Sequence, residues 1–344
     1  GERMFERMKG LYEVRVRDQD AKVGEVKVFL IPGNPGERSL MVDAGFGTRE
    51  CYEKLKRELE KLGIACSQLD LFITHRHHDH TGMAGTFAKE GTRVFMNPKE
   101  DHHAYDCITQ KRGEEAVREQ EQVLRRVGIT RRLEPGLWSK YKEVNQRLMK
   151  GQDWYFLTPD FPYEPVSQGQ KFSYGDYHLE AVELKGHTYG QTGLLDREHK
   201  ILFCADQVID GINPIVPTSY PDEGLLKGYF QSLQWMKENL SDYTLLPAHR
   251  EPITQVRRVI DRIVFSYLDK AELIKRLITC SRKPMTVKEV AYLAYGIQED
   301  AEDDPDFISH KMMITKTFSC LEYLYGEEFI DREEKEGIFY WKAV

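Results

Sequence analysis

Cysteine is scarce: Cys51, Cys66, Cys107, Cys204, Cys280 and Cys320 are the six in 344 residues, and none forms a C-x-x-C pair. In so long a chain that excludes a disulfide framework and implies reduced, mostly buried thiols. No run approaches the ~18 apolar residues of a membrane span. The first ten residues, GERMFERMKG, are charged and have no apolar centre of the kind a signal peptide needs. A dominant sign of charge is missing as well. The formal net charge is -7, from 49 Lys+Arg against 56 Asp+Glu, which argues against bulk nucleic-acid binding while allowing local basic patches. The rest, 40% hydrophobic and 31% charged, is ordinary for a globular chain long enough for two domains and a sizeable core. The expectation is a soluble, cytoplasmic protein with no membrane partner.

Histidine is the exception. THRHHDH, residues 74–80, packs four histidines and an aspartate into seven positions. Upstream, Tyr52, Leu55, Leu59 and Leu62 recur at steps of three and four, predicting an amphipathic helix closed by Gly63. LDLFIT (69–74) then reads as a buried strand, so the histidines begin where a strand ends. Open α/β sheets place their sites there, because side chains converge on a crevice rather than the core. His75 and His77, two apart in an extended turn, can share one ion; Asp79 and His80 follow as the chain turns into a helix and face a second. Arg76 and His78 alternate with the first pair and point away. Histidine-rich stretches also occur in tags and solvated loops, but the strand before and TGMAG after argue against that here.

Other strands end on further candidates. SLMVDAGFG (39–47) ends at Asp43, HLEAVELKGHTYGQTG (178–193) runs into His187, KILFCADQ (200–207) ends at Asp206, and YTLLPAHREP (243–252) ends at His249. Any one of these is as well explained as a hydrogen-bonding residue; four together, around H-x-H-x-D-H, are not. Cys204 is read as a strand core residue rather than a ligand.

The order VDAG, THRHHDHTG, GHTYGQTG, FCADQ, PAHR resembles the five motifs of the metallo-β-lactamase-fold hydrolase superfamily over roughly residues 25 to 255. The likeness is to its dinuclear-zinc branch of hydroxyacylglutathione hydrolases and endoribonucleases. It implies an α/β fold, a four-layer αββα sandwich. By the same resemblance His75, His77 and His187 hold one metal, Asp79, His80 and His249 the other, Asp206 bridges them, and Asp43 orders the site by hydrogen bonds. Such ligands suit two divalent ions, zinc above all, with iron or manganese also compatible. Flavodiiron members carry a glutamate where His77 stands, and antibiotic-hydrolysing lactamases generally lack the bridging aspartate, so dinuclear hydrolysis is the remaining expectation. Two cations about 3.5–4 Å apart would share a water and lower its pKa toward neutrality. The implied activity is attack by that bridging hydroxide on a small ester, thioester or lactone, with Asp79 as the catalytic residue that orients it or shuttles its proton. Tyr189 is a candidate acid by position only, and packing beside the site explains it better.

Between His80 and His187 the excess chain, about 101–165, predicts a helical cap with a break at LEPG. Its charges balance, eleven Lys/Arg against eleven Asp/Glu. Arg125, Arg126, Arg131 and Arg132 in RRVGITRR either clamp a substrate phosphate or carboxylate or form a solvated helix end, and the second reading is favoured. His102 and His103 are expected at the surface or at a helix start. The catalytic domain is thus expected over 1–255. Residues 256–344 read as three helices and a strand–turn–strand, with a T-x-x-E capping box at Thr286 and Glu289. They resemble the winged-helix tail of some superfamily members, including a mitochondrial endoribonuclease group. Over 281–344, eight Lys/Arg and fourteen Asp/Glu leave 8 − 14 = −6, and the third helix offers mainly His310, Lys311 and Lys316 beside the acidic run 299–306. That charge disfavours DNA. The wing is expected to pack on the cap, complete a small-molecule cleft or form a homodimer. Cleavage of single-stranded RNA is the alternative activity.

Overall fold

Aliphatic and β-branched runs bounded by glycine and proline turns make the strands of this protein. A computed structural model describes residues 4–17, 24–103, 113–149, 161–298 and 307–344. Cys107, the acidic run 299–306 and parts of the expected cap (104–112 and 150–160) lie outside the described residues. Among the described residues, one sheet holds β1 (Phe5–Met8), β2 (Leu11–Arg17), β3 (Glu25–Ile31), β4 (Ser39–Val42), β5 (Leu69–Ile73), β6 (Arg93–Met96) and β7 (Glu164–Pro165) in sequence order. Pairing is antiparallel up to β4 and parallel from β4 to β7. The second sheet holds β8 (Lys171–Tyr174), β9 (Tyr177–Glu183), β10 (Thr192–Asp196), β11 (Ile201–Ala205) and β12 (Thr244–Pro247). It is antiparallel except for the parallel β11–β12 pair.

The pleat sends alternate side chains to opposite faces. Met41, Leu71, Ile73 and Val94 pack with residues of α1 (Arg49–Lys61) and α3 (Ala84–Lys89), which follows the short α2 (His78–Thr81). Leu40, Val42, Phe72 and Phe95 face the other way and meet Phe172, Leu179, Leu194 and Phe203 of the second sheet. With both faces covered, β4 and β5 are buried along their whole length without alternation. Truncating Leu71 to Ala would cost about 2–5 kcal/mol. α1 is amphipathic as expected: Thr48 caps its start by accepting from the Cys51 amide at 3.2 Å, and Gly63 follows its end at φ 69°.

Within the segment expected as a cap, the described residues form α4 (Gly113–Arg126) and α5 (Pro135–Met149), the latter starting at the expected LEPG break. Further on come α6 (Leu225–Asn239), α7 (Val256–Cys280), α8 (Val287–Tyr295), α9 (Phe307–Gly326) and the hairpin β13 (Asp331–Lys335)–β14 (Ile338–Lys342). The Thr286–Glu289 capping box is formed. The core on the outer face of the second sheet, Leu195, Leu202, Cys204 and Leu245, continues without a break through Tyr229, Val259, Ile263, Phe318 and Trp341. The carboxy-terminal helices therefore share a core with the second sheet. Cys51, Cys66, Cys204 and Cys320 are buried and free, while Cys280 is exposed. No helix among the described residues is long and apolar enough to cross a membrane.

Candidate metal centre

Because β4, β5 and β6 run parallel, and β9, β11 and β12 share a direction in their own sheet, each set delivers its carboxyl ends to one edge. The two edges meet where the Thr192 amide donates to the Thr74 carbonyl at 2.9 Å. Beside several of these strand ends the backbone turns sharply, at non-glycine residues. Asp43 (φ 65°), Ala205 (φ 51°) and Arg250 (φ 64°) adopt left-handed conformations at or beside the expected site residues. Such strain, on the order of 1–3 kcal/mol each, persists where the surroundings hold it in place. Around Gly82 the backbones close up: a Cβ there would lie 2.1 Å from the Phe46 carbonyl carbon, and the Ala44 amide donates to the His80 carbonyl at 2.7 Å. His187 is not at a strand end; it lies four residues beyond β9.

The seven expected side chains come together in two groups. His75, His77, His187 and Asp206 form one, Asp79, His80, Asp206 and His249 the other, with ligand-type atoms within 4.8 Å of one another in each. Asp206 belongs to both. Its Oδ2 lies 3.4 Å from His75 Nε2, 3.3 Å from His80 Nε2 and 3.3 Å from His187 Nε2, and its Oδ1 lies 3.4 Å from His249 Nε2. Asp79 Oδ2 is 3.4 Å from His80 Nε2 and 3.3 Å from His249 Nε2. Donors about 2.0–2.1 Å from a tetrahedral ion stand roughly 3.3 Å apart, so these separations fit a divalent ion such as zinc. The Nε2 atoms of His75, His80 and His187 and Asp206 Oδ1 are buried without a hydrogen-bond partner, an arrangement that is costly unless a cation is its partner. His78 is in neither group, and Cys204 lies in the core with its thiol 3.8 Å from the Val208 carbonyl.

The other ring nitrogens are anchored. Asp43 accepts from His80 Nδ1 at 2.7 Å and from the Thr74 amide at 2.8 Å. The Thr74 hydroxyl has one proton, given to Asp43 (2.8 Å), so its oxygen accepts from His75 Nδ1 at 2.9 Å. One carboxylate thus sets two imidazoles, His80 directly and His75 through Thr74. His187 Nδ1 donates to the Ile215 carbonyl (2.7 Å) and His249 Nδ1 to the Glu25 carbonyl (2.8 Å). In each case Nε2 is left facing Asp206, as in metal-binding histidines whose other nitrogen is held by an oxygen.

Electrostatically the groups differ. Burial and neighbouring imidazoles hold His75 down to about 4 and His77 well below its ordinary value. Burial also opposes a charge on His80 and His249, but the Asp79 and Asp206 carboxylates prevail, raising His80 well above its usual value and His249 to about 10. Burial would raise Asp79 and Asp206, yet the His80 charge, joined at Asp206 by His249, holds both well below the carboxylate range.

Sequence reasoning missed Thr74 and Glu100. Glu100, 2% exposed, sits in the turn after β6 and accepts from the Arg76 amide (2.9 Å), the Thr188 hydroxyl (2.7 Å) and the Gly190 amide (2.9 Å). It thereby ties the loop of His75 and His77 to the loop of His187. The Asn97-Pro98 turn after an apolar strand was its only signal. Beside the centre is a cavity of about 20 Å³ bordered by Arg76, His102, His103, Tyr189, Tyr220 and Glu223 among others, with room for about one water. Tyr189 stacks on His102 with centroids 5.2 Å apart, and the Lys185 ammonium lies 5.1 Å from its ring centroid. His103 is not a plain surface residue: it stacks on Tyr220 at 3.5 Å and meets Glu223 at 2.5 Å. The four arginines diverge. Arg125 donates to the Glu336 carbonyl at 3.4 Å, Arg126 lies over Tyr220, Arg131 lies over Trp138, and Arg132 is exposed.

The family model described as the metallo-beta-lactamase superfamily matches residues 22–250. Acyl-coenzyme A thioesterase MBLAC2 of Gallus gallus is 27% identical over 265 residues, 74% of this chain and 83% of that protein. Probable metallo-hydrolase YqjP of Bacillus subtilis (strain 168) is 22% identical over 335 residues, 94% of each chain. A crystal structure of a metallo-beta-lactamase family protein from Thermus thermophilus aligns over 98% of this chain and 99% of its own, with a TM-score of 0.75 at 20% identity, a likeness of fold.

Proposed function

Since the chain belongs to the metallo-β-lactamase superfamily and is a metal-dependent hydrolase, we propose that it hydrolyses small thioesters, with esters and lactones as neighbouring substrates. The carrying observation is the set of anchored imidazoles whose free Nε2 atoms surround Asp206. In this reading His75, His77 and His187 hold one zinc ion, Asp79, His80 and His249 a second, and Asp206 both. When bound, the pair supplies Lewis acidity and a water of lowered pKa. Asp79, held anionic, would orient the attacking water or take its proton, and Asp43 and Glu100 keep the ligands aimed. The similarity to a thioesterase supports the acyl group's leaving partner as a thiol.

The reading also takes the molecule as a four-layer αββα sandwich over 1–255, with a winged-helix tail over 256–344 that serves the cleft rather than nucleic acid. Lys316, a side chain a groove-reading helix would offer to phosphate, lies with its ammonium 5.4 Å from the Tyr267 ring centroid, its pKa lowered by burial. The test is hydrolysis of an acyl-coenzyme A panel and cleavage of a labelled single-stranded RNA by zinc-loaded protein, each against Asp206→Asn. Thioester turnover lost in the variant is expected. RNA cutting lost in the variant, without thioester turnover, would replace the reading with the ribonuclease one.

A further inference from the structure

Residues 213–220 follow Asp206 as a segment that belongs to neither sheet, with the alternating burial of an extended chain. Burial alternates along it: Pro214, Val216, Thr218 and Tyr220 are buried, while Asn213, Ile215, Pro217 and Ser219 are half-buried. Successive carbonyls of an extended backbone point to opposite sides, and here the two sides have different partners. Toward the carboxy-terminal helices, the Tyr267 hydroxyl of α7 donates to the Pro214 carbonyl and the Ser319 hydroxyl of α9 to the Val216 carbonyl. The Thr218 amide donates to the Thr315 carbonyl at 3.1 Å, its hydroxyl meets Ser319 at 2.6 Å, and the Asp222 amide donates to Glu322 at 2.9 Å. Toward the site, the intervening Ile215 carbonyl accepts from His187 Nδ1 at 2.7 Å, and Pro217 and Ser219 border the cavity.

We propose that the carboxy-terminal module acts as the missing neighbouring strand for residues 213–222, and that through this pairing Tyr267 and Ser319 are positioning residues for His187. The backbone of such a segment must be hydrogen-bonded somewhere. Here α7 and α9 take alternate groups and so leave the one between them aimed at the imidazole. The inference rests on the metal-centre reading, in which His187 Nε2 is a ligand; it adds that the module controls how well that ligand is presented.

The test compares Tyr267→Phe and Ser319→Ala with Lys227→Ala, which removes the ion pair to Glu327 between α6 and the turn after α9. Cobalt titration against a competing chelator, with the visible spectrum of the first bound ion, is read alongside the far-UV circular dichroism. Loss of an outer partner of a ligand typically weakens a metal site about 10–100-fold. The expected result is roughly tenfold weaker binding of the first ion and an altered cobalt spectrum in both positioning variants, with Lys227→Ala unchanged. Tyr267→Phe keeps its ring in the core, so it carries the test should Ser319→Ala fail to fold. Wild-type affinity and spectrum in folded variants, even with lowered melting temperatures, overturn the inference and leave the metal reading intact. Wild-type protein that takes up no ion fails both.

Discussion

The two halves of the centre are built from the same residue types and carry opposite charge tendencies. His75 and His77 are pressed toward the neutral form by burial and by neighbouring imidazoles, whereas His80 and His249 sit among carboxylates, Asp79 and Asp206 above all, and are drawn toward the cation. His75 and His77 are therefore favoured in the neutral form that binds a cation. In the second half the carboxylates favour protonated His80 and His249, and those protons must leave for an ion to enter. Three imidazoles and one carboxylate make the first half, two of each the second, and Asp206 is the residue they share.

Removing that shared residue should produce the largest effect. Asp206→Asn is expected to lower thioester hydrolysis on the order of 10³-fold and to reduce bound metal from two ions to one or none, by rate assay and elemental analysis. Next, Asp43→Asn should weaken metal binding about 10–100-fold, since it loosens His80 directly and His75 through Thr74. Equal loss from Glu100→Gln would show that the loop tie matters as much as the ring anchor.

Proton release sharpens the comparison. Calorimetric titration at pH 7 in buffers of differing ionisation enthalpy should show little release from His75 and His77 as the first ion enters. About two protons should leave with the ion entering Asp79, His80 and His249. Affinity at the second position should accordingly rise with pH. Metal-free protein should behave oppositely. His249, raised to about 10 in the fold, contributes stability that is fully present below its unfolded value, about 6.5, and is lost as pH rises through about 10. The melting temperature of chelated protein should therefore fall between about pH 7 and pH 10, and that of dizinc protein should not follow it. The smallest effect belongs to His78→Ala, expected to leave metal content unchanged while His80→Ala lowers it.

The strand-end pattern made the site legible because parallel strands turn sequence order into spatial convergence: Asp43, His75 and Asp206 each lie within two residues of a strand's carboxyl end. What could not be read were partners supplied by distant backbone. His249 leans on the Glu25 carbonyl, 224 positions away, and His187 on Ile215; a carbonyl leaves no mark in a sequence. Thr74 hid inside the motif because any strand end accepts threonine. Arg125 and Arg126 looked like a cluster with Arg131 and Arg132, but neighbours on a helix point about 100° apart, and they reach the hairpin and Tyr220 respectively. The helices of 256–344 were legible from their periodicity and capping box, while their shared core with the second sheet depends on packing that periodicity does not specify.

The most direct measurement is anomalous diffraction at the zinc edge from crystals of the zinc-loaded protein. The account predicts two peaks, one enclosed by His75, His77 and His187, the other by Asp79, His80 and His249, with Asp206 in reach of both. A single peak, or zinc in place of these at the third histidine–carboxylate group among the described residues, His102, His103 and Glu223, would contradict it.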